Sequence, residues 1–151
     1  MRMIFLLPLL TLAACASLSG GRDHTFVCSY DTVWEATSEV MKGYSVTSAD
    51  KISGNIETAW VEMEGARRPY GIFNREGFGN KERARLAIAV RKDNDVSTVN
   101  VLETRQRWHA RGGATQQAIK WWPVEPSEEV MEEITDKLNA RIKEKGCVTN
   151  P

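Results

Sequence analysis

The chain has 151 residues and balances 20 Lys and Arg against 20 Asp and Glu. That length suits a single domain with a sizeable core, and the even charge gives no support for bulk nucleic-acid binding. Its three cysteines show no CxxC-type spacing, which argues against a closed zinc site.

At the start of the chain, Arg2 precedes the apolar run Ile4-Phe5-Leu6-Leu7-Pro8-Leu9-Leu10. The run is far shorter than the roughly 20 residues of a spanning helix and ends in small residues, as an export signal does. Its closing residues, Leu12-Ala13-Ala14-Cys15, resemble the lipobox of bacterial lipoprotein precursors. The resemblance implies cleavage after residue 14 and acylation of Cys15 as the first residue of the mature protein. Several acyl chains on one residue give stable anchoring, since each buried methylene contributes about 0.8 kcal/mol. Ala16 is not the aspartate that commonly retains such proteins at the inner membrane, so the expected location is the periplasmic face of the outer membrane. Cleavage removes only Arg2 among the charged residues, leaving 19 Lys and Arg against 20 Asp and Glu. Residues 15–23 then form a lipidated, small and polar tether, and residues 24–151 a single domain.

The two remaining cysteines, Cys28 and Cys147, stand at opposite ends of that domain in a protein bound for an oxidising compartment. A disulfide is the natural pairing. The competing reading is a metal site using His24, Cys28, His109 and Cys147, which is weakened by the isolation of two of its ligands. No metal is therefore expected.

Along the domain, His24-Thr25-Phe26-Val27-Cys28 predicts a first strand, and Tyr30, Val33, Trp34, Val40, Met41 and Tyr44 recur at helical spacing. Ser29, Asp31 and Thr32 offer caps, Thr32 with Glu35 matches a capping box, and Gly43 closes the helix. Residues 44–48 and 55–61 predict a hairpin across the turn-rich segment 49–54. A second hairpin alternates Leu86, Ile88 and Val90 with Arg85, Ala87 and Arg91, then turns at 92–95 towards Val99 and Val101. After Pro126, Ser127 caps a long helix with Val130, Met131, Ile134, Leu138 and Ile142 on one side. Glutamates fill its first turns and basic residues its last, as the helix dipole favours. The order β-α-β-β-β-β-α predicts an α+β fold, an antiparallel sheet with two helices packed on one face.

Within this order, Tyr30-Asp31-Thr32-Val33-Trp34 and the later Gly54-Asn55-Ile56-Glu57-Thr58-Ala59-Trp60 resemble the helix-grip domains of BamC-like outer-membrane lipoproteins. The resemblance implies a helix-grip-like fold and an accessory role in outer-membrane protein assembly. Read from the residues alone, Gly54 permits a turn, and Ile56, Thr58 and Trp60 share a core-facing side.

Only His24 and His109 can act as neutral-pH bases, and neither lies in a catalytic motif. Gly77-Phe78-Gly79-Asn80-Lys81-Glu82 lacks the strand-to-helix setting of a phosphate cradle. The expectation is a non-enzymatic protein without a cofactor. Two stretches join aromatic and basic residues: Arg67, Arg68, Tyr70 and Phe73, with Phe78 close behind, and the segment from Arg105 to Trp122 with Trp108, Trp121 and Trp122. Long connections of this kind are seldom functionless, and Arg and Trp are enriched at binding hot spots. These residues are the expected contact surface for envelope or outer-membrane proteins. In the competing reading some of these aromatics cap the open end of the sheet, or Gln116 to Trp122 forms a short helix packed on the core. A different functional class, a binder of a small apolar molecule between helix and sheet, requires an unfilled interior.

Overall fold

The computed structural model describes residues 21–65, 69–70, 75–76, 81–109 and 120–150. In chain order they form β1 (Arg22–Val27), α1 (Tyr30–Met41), β2 (Val46–Asp50), β3 (Asn55–Thr58), β4 (Val61–Glu64), β5 (Pro69–Tyr70), β6 (Arg75–Glu76), β7 (Lys81–Asp93), β8 (Val96–His109), β9 (Lys120–Val124), α2 (Glu128–Glu144) and β10 (Val148–Asn150).

The centre is the long β7–β8 hairpin, turned through Asn94, whose φ of 52° lies in the left-handed region that asparagine tolerates. Each of its outer edges carries two short strands in tandem. On the β8 edge, β1 pairs with residues 97–101 and β9 with residues 105–109. On the β7 edge, β3 pairs with residues 87–89 and β4 with residues 81–84. Strands β2 and β10 extend one half of the sheet, giving the order β10-β1-β8-β7-β3-β2, all pairs antiparallel.

This is a sheet-dominated α+β fold with eight strands in the main sheet, and it corrects the helix-grip-like β-α-β-β-β-β-α expectation. The central strands run on to Lys81 and His109 because charged residues there occupy inward positions and pair with one another, so the apolar alternation stops well before the strands do. Part of the stretch from Arg105 to Trp122, read from sequence as a connection, is therefore the end of β8 and the start of β9. The chain also re-enters the sheet after α2, through β10.

Alternation along β7 and β8 sends Leu86, Ile88, Val90, Val99 and Val101 to one face. There they meet Val33, Trp34 and Met41 of α1 and Ile134, Leu138 and Ile142 of α2, with Phe26 and Ile56 from the flanking strands. Ser29, rather than Thr32, caps α1 by accepting the Thr32 N–H at 3.2 Å. Ser127 caps α2 by accepting from Val130. Gly54 has φ 74°, and a Cβ there would lie 2.1 Å from the Val90 carbonyl oxygen, so only glycine fits this turn.

A disulfide joins Cys28, just after β1, to Cys147, just before β10, with Cα atoms 5.4 Å apart. It clamps the pairing of the first and last strands, which continues at Val27 and Val148. The bridge closes a loop spanning 119 positions, which chain-entropy reasoning values at roughly 4 to 5 kcal/mol. Replacing both cysteines with serine is expected to lower unfolding free energy by an amount approaching that figure, measured by urea denaturation under oxidising conditions. A loss within about 0.5 kcal/mol, the range of ordinary surface substitutions, would contradict it.

Candidate interaction surface

The sheet face opposite the helices is built by one irregularity in the β3–β4 edge. Glu57 pairs with Ala87 and Val61 with Ala84, so four steps along one strand match three along the other. The extra residue is a bulge, and it reverses the phase of alternation. Ile56 and Thr58 stay buried, and Thr58 Oγ1 accepts the Leu86 N–H at 2.9 Å. Trp60 does not follow them into the core. It lies half-buried on the outer face, against Arg83 and Arg85.

Arg83 is the centre of this surface. Its guanidinium carbon sits 4.5 Å from the ring centroid of Trp60 and 4.4 Å from that of Trp121, so a cation is held between two indoles. Its Nε and Nη2 both donate to Gln106 Oε1, at 2.9 and 2.7 Å. Gln106 is the cross-strand partner of Arg83, and Trp108 and Trp121 face one another across β8 and β9 with centroids 5.4 Å apart. Arg85 lies 5.1 Å from the Trp60 ring and 3.9 Å from Glu57. Register thus brings Trp60, Arg83, Arg85, Gln106, Trp108 and Trp121 onto one face.

Of the residues expected to bind partners, Trp108 and Trp121 belong to this cluster. Trp122 lies on the opposite face of β9, with the Lys120 ammonium 4.3 Å from its ring. Tyr70 enters only through its backbone pairing with Arg75 in the small β5–β6 hairpin. Arg67, Arg68, Phe73 and Phe78 lie outside the described residues, as do Cys15 and the export signal. Arg83, Arg85 and Gln106 are not among the residues that the sequence marks for partner binding, and Trp60 is expected there in the core. The alternation of Arg85 with Leu86 marks it as outward, but nothing local shows which indole it meets, and the alternation read from sequence does not reach Arg83.

On the helix side, the same half of the sheet carries a buried ionic layer. Arg105 bridges two carboxylates, reaching Glu82 at 3.2 Å and Glu103 at 3.0 Å, while Arg107 donates to Glu82 from Nε at 2.9 Å and again from Nη2. The Glu103 side chain is 2% exposed, and its second oxygen accepts the Ser127 N–H at the start of α2. Burial pushes the Glu82 carboxyl up, but Arg107 and Arg105 outweigh it and hold the group below the ordinary carboxylate range. The hydrogen bond from Arg105 to Glu103 likewise raises the Arg105 guanidinium. Every charge in the layer has a partner, so it closes this end of the core.

Beside α2, His24, Phe26, Val99, Thr135, Leu138 and Asn139 line a shallow depression with no room for a water molecule, whereas small-molecule sites usually begin near 300 Å³. Among the described residues no group of three or more His, Cys, Asp or Glu side chains could hold a metal ion, and Cys28 and Cys147 are bonded to each other. No helix among them is long and apolar enough to cross a membrane.

No family model matches the chain. No curated protein matches it either.

The ionic layer makes stability depend on pH in a defined direction. Because Glu82 ionises more readily in the folded protein, its contribution is complete above the usual carboxylate range and disappears as pH falls through the lowered folded value. In urea unfolding, the stability gap between the wild type and Glu82→Gln is expected to stay constant from neutral pH to about 5 and to narrow below about 4.5. A gap that persisted unchanged through the acid range would count against the assignment.

Proposed function

We propose that this protein is a lipid-anchored, non-catalytic interaction module on the periplasmic face of the outer membrane, and that its outer sheet face is the contact surface. The observation that carries the proposal is the Trp60–Arg83–Trp121 sandwich with Trp108 beside it. Large indoles and a guanidinium gathered on a face that no helix among the described residues covers are the residue types from which binding hot spots are made. Such a surface works by burying aromatic area while arginine makes charge-assisted contacts, and it needs no cofactor.

Two further observations support the setting. Leu12-Ala13-Ala14-Cys15 has the form of a lipid-attachment site, and a disulfide closes the fold, as suits an oxidising compartment. The apolar-ligand alternative finds no comparable support. Trp34, Met41, Ile134 and Leu138 fill the space between helices and sheet. An accessory role in outer-membrane protein assembly is the narrower form of the proposal. It rests on the motif from Gly54 to Trp60, whose residues have structural explanations in the turn, the core and the outer face.

The anchor is tested by Cys15→Ala. The variant is expected to leave the membrane fraction after a salt wash, whereas wild type stays with outer-membrane vesicles on a density gradient. Retention of the variant would contradict lipid anchoring.

A further inference from the structure

We propose that the outer face around Trp60, Arg83, Trp108 and Trp121 docks on the phospholipid bilayer that carries the anchor, with Arg83 and Arg85 meeting anionic headgroups. This deepens the contact-surface reading and rests on the lipid anchor.

The first argument is where the chain enters the fold. Gly21, the residue before β1, lies against Asn100, and a Cβ on it would sit 2.4 Å from Asn100 Oδ1. Asn100 is the cross-strand partner of Ala89 on β7 and Asp23 on β1, at an even position of β8 that it shares with Gln106 and Trp108. The chain therefore reaches the sheet against the face that holds the tryptophans. Residues 16–21 separate the lipidated cysteine from β1, and six extended residues span about 20 Å. A domain lying with this face on the bilayer keeps the start of β1 well inside that reach, while α2, with Glu128, Glu129, Glu132 and Glu133 in its first turns, is held on the far side of the sheet.

The second argument is chemical. Tryptophan is enriched where membrane meets water, because the indole offers an apolar body with a single polar N–H. Trp108 and Trp121 are both only half-buried. Between Trp121 and Trp60 stands Arg83, which has five N–H donors; among the described residues its hydrogen bonds go to Gln106 Oε1, and no carboxylate lies within ion-pair distance, although Glu62 is its cross-strand partner on β4. A phosphate is the natural counter-charge for such a guanidinium, and each basic residue near an anionic surface contributes about 1 kcal/mol. Among the described residues the acids on this face are Glu57, engaged by Arg85, Asp50 on β2, Glu62 and Glu64 on β4 with Glu62 directly opposite Arg83, Asp93 at the far end of β7, and Asp23 on β1, which accepts from Asn100 Nδ2 at 2.6 Å; none stands on β8 or β9. The contact is thus weighted towards the β8–β9 side, the same edge of β8 that β1 occupies.

The test uses the lipidated protein purified from cells and reconstituted into vesicles of phosphatidylethanolamine and phosphatidylglycerol. Tryptophan emission is compared between vesicles with brominated and plain acyl chains. Bromine quenches only indoles that reach the interface, and Trp34, buried in the core, is the internal control. Quenching is expected with wild type. Most of it should be lost in Trp60→Phe/Trp108→Phe/Trp121→Phe, which keeps the thermal midpoint, and it should weaken when phosphatidylcholine replaces phosphatidylglycerol. Protein that floats with the vesicles but shows no quenching would overturn the docking, leave the anchor standing and assign the face to a protein partner. Quenching that survives intact in the folded triple variant would place the contact elsewhere and overturn it too. Protein that does not float would overturn anchor and docking together.

Discussion

The twelve-pair ladder between β7 and β8, from Glu82 with Arg107 to Asp93 with Val96, is the constraint from which the other features follow. Side chains alternate with a period of two, so this register decides at once which residues enter the core and which form the outer face; a slip of one position would exchange the two sets. It places Val90 beside Val99 and Ile88 beside Val101 under the helices, and Arg83 beside Gln106 on the open side. The short strands then take their positions from the free edges of the hairpin.

The helix-side face changes character along the hairpin. Where α1 and α2 cover it, apolar residues suffice. Beyond Leu86 the inward positions hold Glu82, Glu103, Arg105 and Arg107, whose mutual pairing lets charge sit inside a sheet. Glu103 also fixes the start of α2 by accepting the Ser127 N–H. One carboxylate therefore joins the end of the sheet to the helix that covers its other half. Removing one partner from such a layer leaves an uncompensated buried charge, at a cost of roughly 3 to 5 kcal/mol, so the layer is a strong local constraint even if its net contribution to stability is small.

Much of this was legible in the sequence where local chemistry decides structure. The helical spacing of Ile134, Leu138 and Ile142, the Ser127 cap and the Gly54 turn all act within a few residues, and the pairing of Cys28 with Cys147 followed from compartment and count. Features that depend on distant partners were not legible. Nothing local marks Glu82 and Glu103 as buried, because a buried carboxylate makes sense only once Arg105 is known to lie beside it. The bulge at 57–61 has no local signal, and it moves Trp60 from an expected core position to the outer face. Trp108 and Trp121 were grouped as members of one basic, aromatic segment, but their direct opposition required β8 to extend to His109 and β9 to return along it. Strand β10 is three residues long, too short for periodicity to mark.

The sheet is two-faced: α1 and α2 fill one side, and among the described residues no helix covers the other, where Arg83 and Gln106 lie with Trp60, Trp108 and Trp121. Single cysteines introduced along β8, with the Cys28–Cys147 bridge intact, test it most directly through their rates of reaction with a polar thiol reagent on the folded protein. Thr104→Cys and Gln106→Cys are expected to react readily, whereas Val101→Cys and Glu103→Cys stay protected until the protein unfolds. Equal reactivity along the strand, or the opposite alternation, would contradict the assignment of faces and with it the contact surface.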